Sequence, residues 1–299
     1  MNIFIAGGSG TIGVPLVRAL VSAGHQVTAL TRSPDKWQTL EALGASATVA
    51  DALDPQALMA AVTAAHPTHV IHQLTALPKE GPRRTSDVDA TNRLRIDGTR
   101  NLLQAAIAVH ARRFIVGSFA PLAGSDPVKA PNAAAAVRSM ESQVLKATEQ
   151  GLIEGVVLRY GGFYGPGVPS TTALVELVRR RRVPVVRGDA GQLPVIHIDD
   201  AVSATVLALD RAPGGSTYDI VDDHPASMTE IVTTLAKYAG SPPPLRVPAW
   251  LPRLVAPYMA RVTAIRMPLS SARAKAELGW APRYPTFREG LADMFRRAA

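Results

Sequence analysis

Three glycines spaced three apart, Gly7, Gly10 and Gly13, lie in the run Gly7-Gly8-Ser9-Gly10-Thr11-Ile12-Gly13. The run sits between an apolar stretch, Ile3-Phe4-Ile5-Ala6, and a helical pattern that continues from Val14. A strand, a glycine turn and a helix together seat a pyrophosphate. Glycine permits the tight bend and lets the backbone approach the phosphates, and the free N–H groups at the helix start, around Thr11, Ile12 and Gly13, point at the negative charge. The second strand-like run ends at Thr31-Arg32-Ser33, so that Arg32 stands nineteen residues past Gly13 with Lys36 nearby. A carboxylate at about that distance holds the ribose hydroxyls of NAD, whereas a guanidinium suits the 2′-phosphate of NADP. Arg32 and Ser33 therefore favour NADP, with NAD left open. Asp35 follows Pro34 and is expected to point elsewhere.

Other chemistries are narrowed by composition. The chain has no cysteine, which excludes disulfides, thiolate catalysis and cysteine-ligated metals. Its seven histidines are scattered, with no HExxH or paired spacing, so no metal is expected. The net charge of +8 owes much to arginine, and one dense run, Arg179-Arg180-Arg181-Arg182, ends a helical pattern over 171–181, where cations favour the helix dipole. Aromatic residues are 5% of the chain and none interleaves that run, so stacking on nucleic acid is not expected. No apolar stretch is long enough to span a bilayer. The first residues read as a strand rather than a charged start followed by an apolar run, so a secretory leader is not expected. The expectation is a soluble, cytoplasmic protein whose partner is a small-molecule substrate, with no nucleic acid or membrane and with a homodimer left open.

The elements that must position the glycine turn are legible as alternating patterns. Of the 299 residues 47% are hydrophobic, enough for one large domain or two lobes. Strand patterns over 2–6, 26–31, 47–50, 69–73, 113–117 and 155–158 alternate with helical patterns over 11–23, 57–65, about 88–109 and 133–149. That alternation predicts an α/β, Rossmann-type, doubly wound parallel sheet that binds its ligand at the carboxyl ends of the strands. Further on, Gly and Pro cluster at 161–169, 213–215 and 242–252, and two capping boxes, Ser227-Met228-Thr229-Glu230 and Thr286-Phe287-Arg288-Glu289, open short helices. A smaller, mostly helical C-terminal substrate lobe is expected there. Residues 195–198, a helix over 200–210 and a strand over 217–221 are expected to return to the first lobe. The division is 1–165 plus about 198–221 for the nucleotide, and 166–197 with 222–299 for the substrate.

The G-x-x-G-x-x-G spacing resembles the TGxxGxxG turn of the short-chain dehydrogenase/reductase superfamily, in its extended or atypical NAD(P)-dependent epimerase/dehydratase branch. The likeness runs through Asn92, Gly98-Thr99-Arg100-Asn101-Leu102-Leu103, Arg113-Phe114-Ile115-Val116-Gly117-Ser118, Leu158-Arg159-Tyr160-Gly161-Gly162-Phe163-Tyr164-Gly165-Pro166-Gly167, Val195-Ile196-His197-Ile198-Asp199-Asp200-Ala201 and Leu278-Gly279-Trp280-Ala281-Pro282-Arg283. The resemblance implies that Asp51, with Ala52, meets the adenine amino group; an acid at a helix start is the alternative. It also implies that the backbone of Leu74, Thr75 and Ala76 lies beside the cofactor riboses. The branch uses a Tyr-x-x-x-Lys pair, whose lysine lowers the tyrosine pKa so that the phenol can exchange a proton with the substrate oxygen. This chain has neither. If Glu141 aligns with the branch's usual acid, Ala133 and Val137 occupy the two slots.

Three readings stay open. In the first, the protein is an NADP-dependent oxidoreductase with a non-standard proton donor: Ser118 stands where the branch places a catalytic Ser or Thr, and Tyr160 replaces the branch's usual proline. His72 and Lys79 flank the fourth strand and are assigned to packing or solvation. In the second, binding and electrostatics suffice for a reactive acceptor such as a quinone-like or enone carbonyl, and water delivers the proton. In the third, the chain binds NADP without turnover, as a redox sensor or scaffold. Arg187 and the arginine run fit a nucleotide-sugar diphosphate, and so an epimerase or dehydratase. The apolar stretch 245–259 fits a hydrophobic ketone.

Overall fold

The computed structural model describes residues 1–78, 82, 84–123, 131–188, 191–248, 250–251 and 269–298. Lys79 and, within 245–259, residues 249 and 252–259 lie outside them. Along the first part of the chain run β1 (Asn2–Ala6), α1 (Gly13–Ser22), β2 (Gln26–Thr31), α2 (Trp37–Glu41), β3 (Ser46–Val49), α3 (Pro55–Ala65), β4 (His69–His72), α4 (Asp89–Arg93), α5 (Thr99–Ala108), β5 (Arg113–Phe119), α6 (Ala120–Ala123), α7 (Pro131–Glu149) and β6 (Glu154–Tyr160). They are followed by β7 (Gly162–Tyr164), α8 (Pro169–Arg179), β8 (Val185–Val186), β9 (Val195–His197), α9 (Ile198–Arg211), β10 (Thr217–Ile220), α10 (Met228–Tyr238), β11 (Arg246–Val247), α11 (Ala272–Leu278) and α12 (Phe287–Ala298).

Seven strands form one parallel sheet in the order β10-β6-β5-β4-β1-β2-β3. Strand order reverses between β1 and β4, where Ala6 neighbours both Leu30 and His72, and a crevice opens at such a reversal. Both faces of the central strands β1, β4 and β5 are buried, so these read as nearly continuous apolar runs, whereas the edge strand β3 is half-exposed. Ile3, Ile5, Ile71 and Ile115 pack against α1 and α9, while Phe4, Val70, Phe114 and Val116 pack against α3, α5 and α7. The expected long helix over 88–109 is realised as α4 and α5 joined by a π turn over Leu94–Gly98.

A second core, built on Tyr164, Val178, Val185, Val232, Leu235, Phe287 and Leu291, gathers α8, α10 and α12. Both expected capping boxes are made. Ser227 and Glu230 exchange bonds at the start of α10, and Thr286 and Glu289 do the same at α12. Strand β10 and helix α9 join the main sheet as expected, but β9 does not. It pairs with β7 in a separate two-stranded sheet, because Pro194 and Gly161-Gly162 bring the two chains together at the end of β6. The arginine run starts on the last residue of α8, Arg179, and continues past it, with Arg180 paired to Glu176 and Arg181 in a left-handed turn at φ +56°.

Candidate functional site

The glycine turn stands at the carboxyl end of β1. Gly7 has φ +92°, and a Cβ there would lie 2.6 Å from the carbonyl oxygen of Gln73. A Cβ on Gly13 would overlap the Gly7 carbonyl oxygen. These two glycines let β1, β4 and α1 close on one another. Gly10 differs: it is exposed, its φ is not positive, and a Cβ would find one neighbour, the Gly7 oxygen at 3.2 Å. Apart from that one close oxygen, the space beside Gly10 is open to solvent. Helix α1 begins there with no side-chain cap at Ile12 and no acidic residue in its first turn, which leaves its leading amides for an anion. An open cradle and an uncapped helix start fit a dinucleotide pyrophosphate.

The neighbouring strand ends supply the remaining contacts expected for the cofactor. Ser9 Oγ and Thr31 Oγ1 are 2.9 Å apart, and the Ser33 N–H donates to Thr31 Oγ1 at 3.2 Å, so buried Thr31 ties the glycine turn to the end of β2. Next to it Arg32 is exposed and makes no hydrogen bond or ion pair among the described residues. Asp51 is exposed too, its Oδ1 accepting from the Leu53 N–H at 2.9 Å; the cap of α3 is Asp54, not Asp51. Ala52 is buried, and its carbonyl accepts from Asn101 Nδ2 at 3.0 Å. Beyond β4 the Leu74 N–H donates to His72 Nδ1 and the Ala76 N–H to Thr91 Oγ1, while Thr75 is exposed. His72 is fully buried, its pKa pushed down to about 4 by desolvation, and its Nε2 meets Thr99 Oγ1 at 3.0 Å: a neutral packing residue.

The two residues expected to do acid–base work are not brought together. They stand on opposite faces of the sheet. Ser118, buried, points toward α7 and donates to Glu141 Oε1 at 2.5 Å. Glu141 is held in turn by Arg159, through Nε at 2.9 Å and Nη2 at 2.6 Å. A carboxylate in such a fork is an acceptor only, so the serine proton is directed at Glu141. Tyr160 points toward α9, 2.8 Å from Thr205 Oγ1. Thr205 spends its own proton on the Ala201 carbonyl at 2.7 Å, so the Tyr160 proton goes to Thr205, and Gln73 Nε2 donates to the phenol at 3.1 Å. Burial pushes the Tyr160 phenol up to about 12. Its proton faces the interior rather than the crevice.

Ala133 and Val137 lie two turns and one turn above Glu141 on α7. Both are buried, with Val88 and Leu122, and Phe119 and Ala123 pack against them. The strand-end residue that shares the helix slots' neighbourhood is thus Phe119, one past Ser118.

Sequence reasoning passed over Gln73, Thr205 and Phe119. Gln73 reaches from β4 across β5 to β6 because Gly117 has no side chain; any Cβ there would overlap Gln73 Oε1. The one available signal was a glycine inside a strand, which marks a close approach. A further buried group braces the two cores. The Tyr164 hydroxyl lies 3.1 Å from Asp222 Oδ2 and 3.3 Å from the Thr286 carbonyl, Asp200 accepts from the Arg283 and Tyr284 N–H groups, and the His197 ring packs on Tyr164 and Tyr284.

Known proteins resemble the chain along most of its length. Residues 3–221 match the model of the NAD dependent epimerase/dehydratase family. A 3-diazoavenalumate denitrifying reductase of a Streptomyces species is 37% identical, with 97% of this chain and 99% of that protein covered. A 2-alkyl-3-oxoalkanoate reductase of Stenotrophomonas maltophilia is 30% identical over 81% of this chain and 77% of its own. Among solved structures, the UDP-glucose 4-epimerase of Thermus thermophilus in complex with NAD has a similar fold: TM-score 0.80 at 23% identity, with all of both chains covered.

Proposed function

The chain belongs to the NAD-dependent epimerase/dehydratase family and is an NAD(P)-dependent oxidoreductase of the short-chain dehydrogenase/reductase type; from that premise we propose that it is an NADP-dependent reductase whose acceptor draws no proton from the protein. The observation that carries this reading is the apolar cluster of Phe119, Ala133 and Val137 with Val88 and Leu122, in the place where the proton-handling groups of the branch would stand. The inward-facing protons of Ser118 and Tyr160 support it.

When bound, the nicotinamide coenzyme supplies a hydride. The chain's own residues bind and orient it. Gly7, Gly10, Thr11, Ile12 and Gly13 seat the pyrophosphate, and Arg32 and Ser33 hold the 2′-phosphate. Asp51 and Ala52 border the adenine, and Leu74, Thr75 and Ala76 line the riboses. Ser118 and Tyr160 act in this reading by holding the ends of β5 and β6 in register rather than by moving a proton. Residues 1–165 with about 198–221 take the nucleotide, and 166–197 with 222–299 take the substrate. The enzyme works in the cytoplasm, and a homodimer stays open.

The Streptomyces relative's name supplies the most specific acceptor, a diazo group. An aryl diazonium already carries positive charge and leaves as dinitrogen, so that Ar–N2⁺ plus H⁻ balances as Ar–H plus N2 with no proton consumed. A neutral sugar ketone, by contrast, needs a proton on oxygen as hydride arrives.

The test offers purified protein NADPH together with an aryl diazonium salt, an activated ketone or a UDP-sugar. Oxidation of NADPH with the first two and none with the third is expected. NADH should be weaker by about tenfold or more, and Arg32→Asp should erase that preference, since a charge-assisted contact is worth roughly 1.5–3 kcal/mol. Sugar epimerisation would replace this reading with the epimerase one. Tight NADPH binding without turnover on any acceptor would favour the sensor.

A further inference from the structure

Gln73 follows β4 at the reversal of strand order, and its main chain is built into the glycine turn. Its N–H donates to the Ala6 carbonyl at 2.8 Å, and its own carbonyl oxygen lies 2.6 Å from where a Cβ on Gly7 would stand. The side chain crosses β5 by lying over Gly117, where a Cβ would be 2.1 Å from Oε1 and 3.0 Å from Nε2. The neighbours set the orientation of the amide. Thr205 donates to the Ala201 carbonyl, so the Tyr160 hydroxyl donates to Thr205. The phenol oxygen is then the acceptor for Gln73 Nε2–H, at 3.1 Å.

Oε1 is thereby turned away from the phenol. Gln73 is only 9% exposed, yet its Oε1 makes no hydrogen bond among the described residues. The partnerless side-chain atoms sealed from solvent among those residues are Asp219 Oδ1 and Asp222 Oδ1, so solvent reaches Gln73 Oε1. The way in is at Gly117, half-buried between buried Val116 and Ser118 near the carboxyl end of β5. An amide locked by a buried network, with one acceptor left over, is preorganised for a donor from outside the chain.

A dinucleotide lies across the reversal of strand order. With its pyrophosphate at the glycine turn and its adenosine side at Arg32, its nicotinamide half extends over β4 and β5. That half carries N–H donors on the carboxamide and O–H donors on the ribose. We propose that Gln73 Oε1 accepts a hydrogen bond from the nicotinamide half of the coenzyme. Tyr160, Thr205 and Gly117 are positioning residues that hold the amide for it. The contact rests on the coenzyme seat of the reductase reading and adds to it a side chain on the β4 side of the crevice.

The experiment is calorimetric and needs no turnover. Full-length protein is titrated with NADPH and with 2′,5′-ADP, which keeps the adenosine side and lacks the nicotinamide half. Gln73→Met, of similar length and without the amide, should weaken NADPH by about 3–10-fold and 2′,5′-ADP by less than about twofold. Gly117→Ala puts a methyl where the amide lies and should give the same selective loss, so it takes over the test if Gln73→Met does not fold. The reduced 3-acetylpyridine analogue of NADPH, which has no carboxamide N–H, separates the two donors. A loss in the variant that vanishes with the analogue assigns the carboxamide, and a loss that persists assigns the ribose. NADPH affinity within about twofold of wild-type in Gln73→Met, or in Gly117→Ala where that replaces it, would overturn the contact. So would an equal loss for NADPH and 2′,5′-ADP, which is what a merely structural role gives. Either result leaves the reductase reading standing. Failure of the wild-type protein to bind NADPH at all would overturn both.

Discussion

The two halves of the crevice have been treated differently. Over β1, β2 and β3 the chain keeps what a dinucleotide needs: an open glycine cradle, an uncapped helix start, and an exposed arginine with no partner among the described residues. Over β4, β5 and β6 the side chains of Gln73, Ser118 and Tyr160 are bonded to buried partners, and the cluster of Val88, Leu122, Ala133 and Val137 with Phe119 is apolar. Binding and acid–base chemistry are thus separable on this scaffold.

The comparison breaks most visibly at Gly10. Gly10→Asp places a carboxylate in the cradle against the pyrophosphate, and calorimetry should show NADPH binding lost by more than about 100-fold; its Cβ would lie 3.2 Å from the Gly7 carbonyl oxygen, so Gly10→Ala, which adds the same Cβ without the charge, is the control for the fold. Retained binding would put the nucleotide elsewhere.

A smaller effect is expected on the other side. Tyr160→Phe leaves Gln73 Nε2–H without its acceptor and Thr205 without its donor, at a cost of about 1–3 kcal/mol in chemical denaturation, while turnover changes by less than about threefold. A turnover loss of 100-fold at unchanged stability would make the phenol the proton donor after all.

The smallest effect concerns the brace between the cores. Burial raises Asp222 to about 8, helped by the Asp200 and Asp223 carboxylates and opposed by the Tyr164 hydrogen bond, and burial lowers His197, like His69 and His72, to about 4. Between about pH 4 and 6.5 the folded histidines bind fewer protons than unfolded ones, so stability rises with pH. The Asp222 contribution has the opposite sign: it is full below about 4 and is lost as pH rises through about 8. Stability should therefore peak near pH 6.5 and decline toward 8 by at most about 1.4 kcal/mol per unit. Asp222→Asn should flatten that decline, and an unchanged slope would remove Asp222 as its source.

Much of this was written in local sequence. β1 and β2 fall where their apolar runs place them, and Ser227 and Glu230 cap α10 as their spacing requires. The segments around Tyr164, His197, Asp200 and Arg283, far apart in the chain, meet in one brace, as motifs that come together in folding do. The direction of a hydroxyl proton was not legible. Ser118 and Tyr160 stand near and at the ends of their strands, yet the pleat sends one to α7 and the other to α9, and their partners Glu141 and Thr205 lie 23 and 45 residues away. Phe119 was hidden for a similar reason: a phenylalanine in an apolar strand reads as core of the sheet until its packing on the cluster of Val88, Leu122, Ala133 and Val137 is known. The pairing of β9 with β7, rather than with the main sheet, depends on the close approach of Pro194 to Gly161, which periodicity does not encode.

The central claim is that hydride transfer here proceeds without a proton from the protein, and its most direct test is the pH dependence of kcat/KM for NADPH oxidation with an aryl diazonium acceptor between pH 5 and 8. A profile flat within about twofold is predicted, the same in wild-type, Ser118→Ala and Tyr160→Phe proteins. A tenfold fall per unit above some pKa, abolished in either variant, would contradict it.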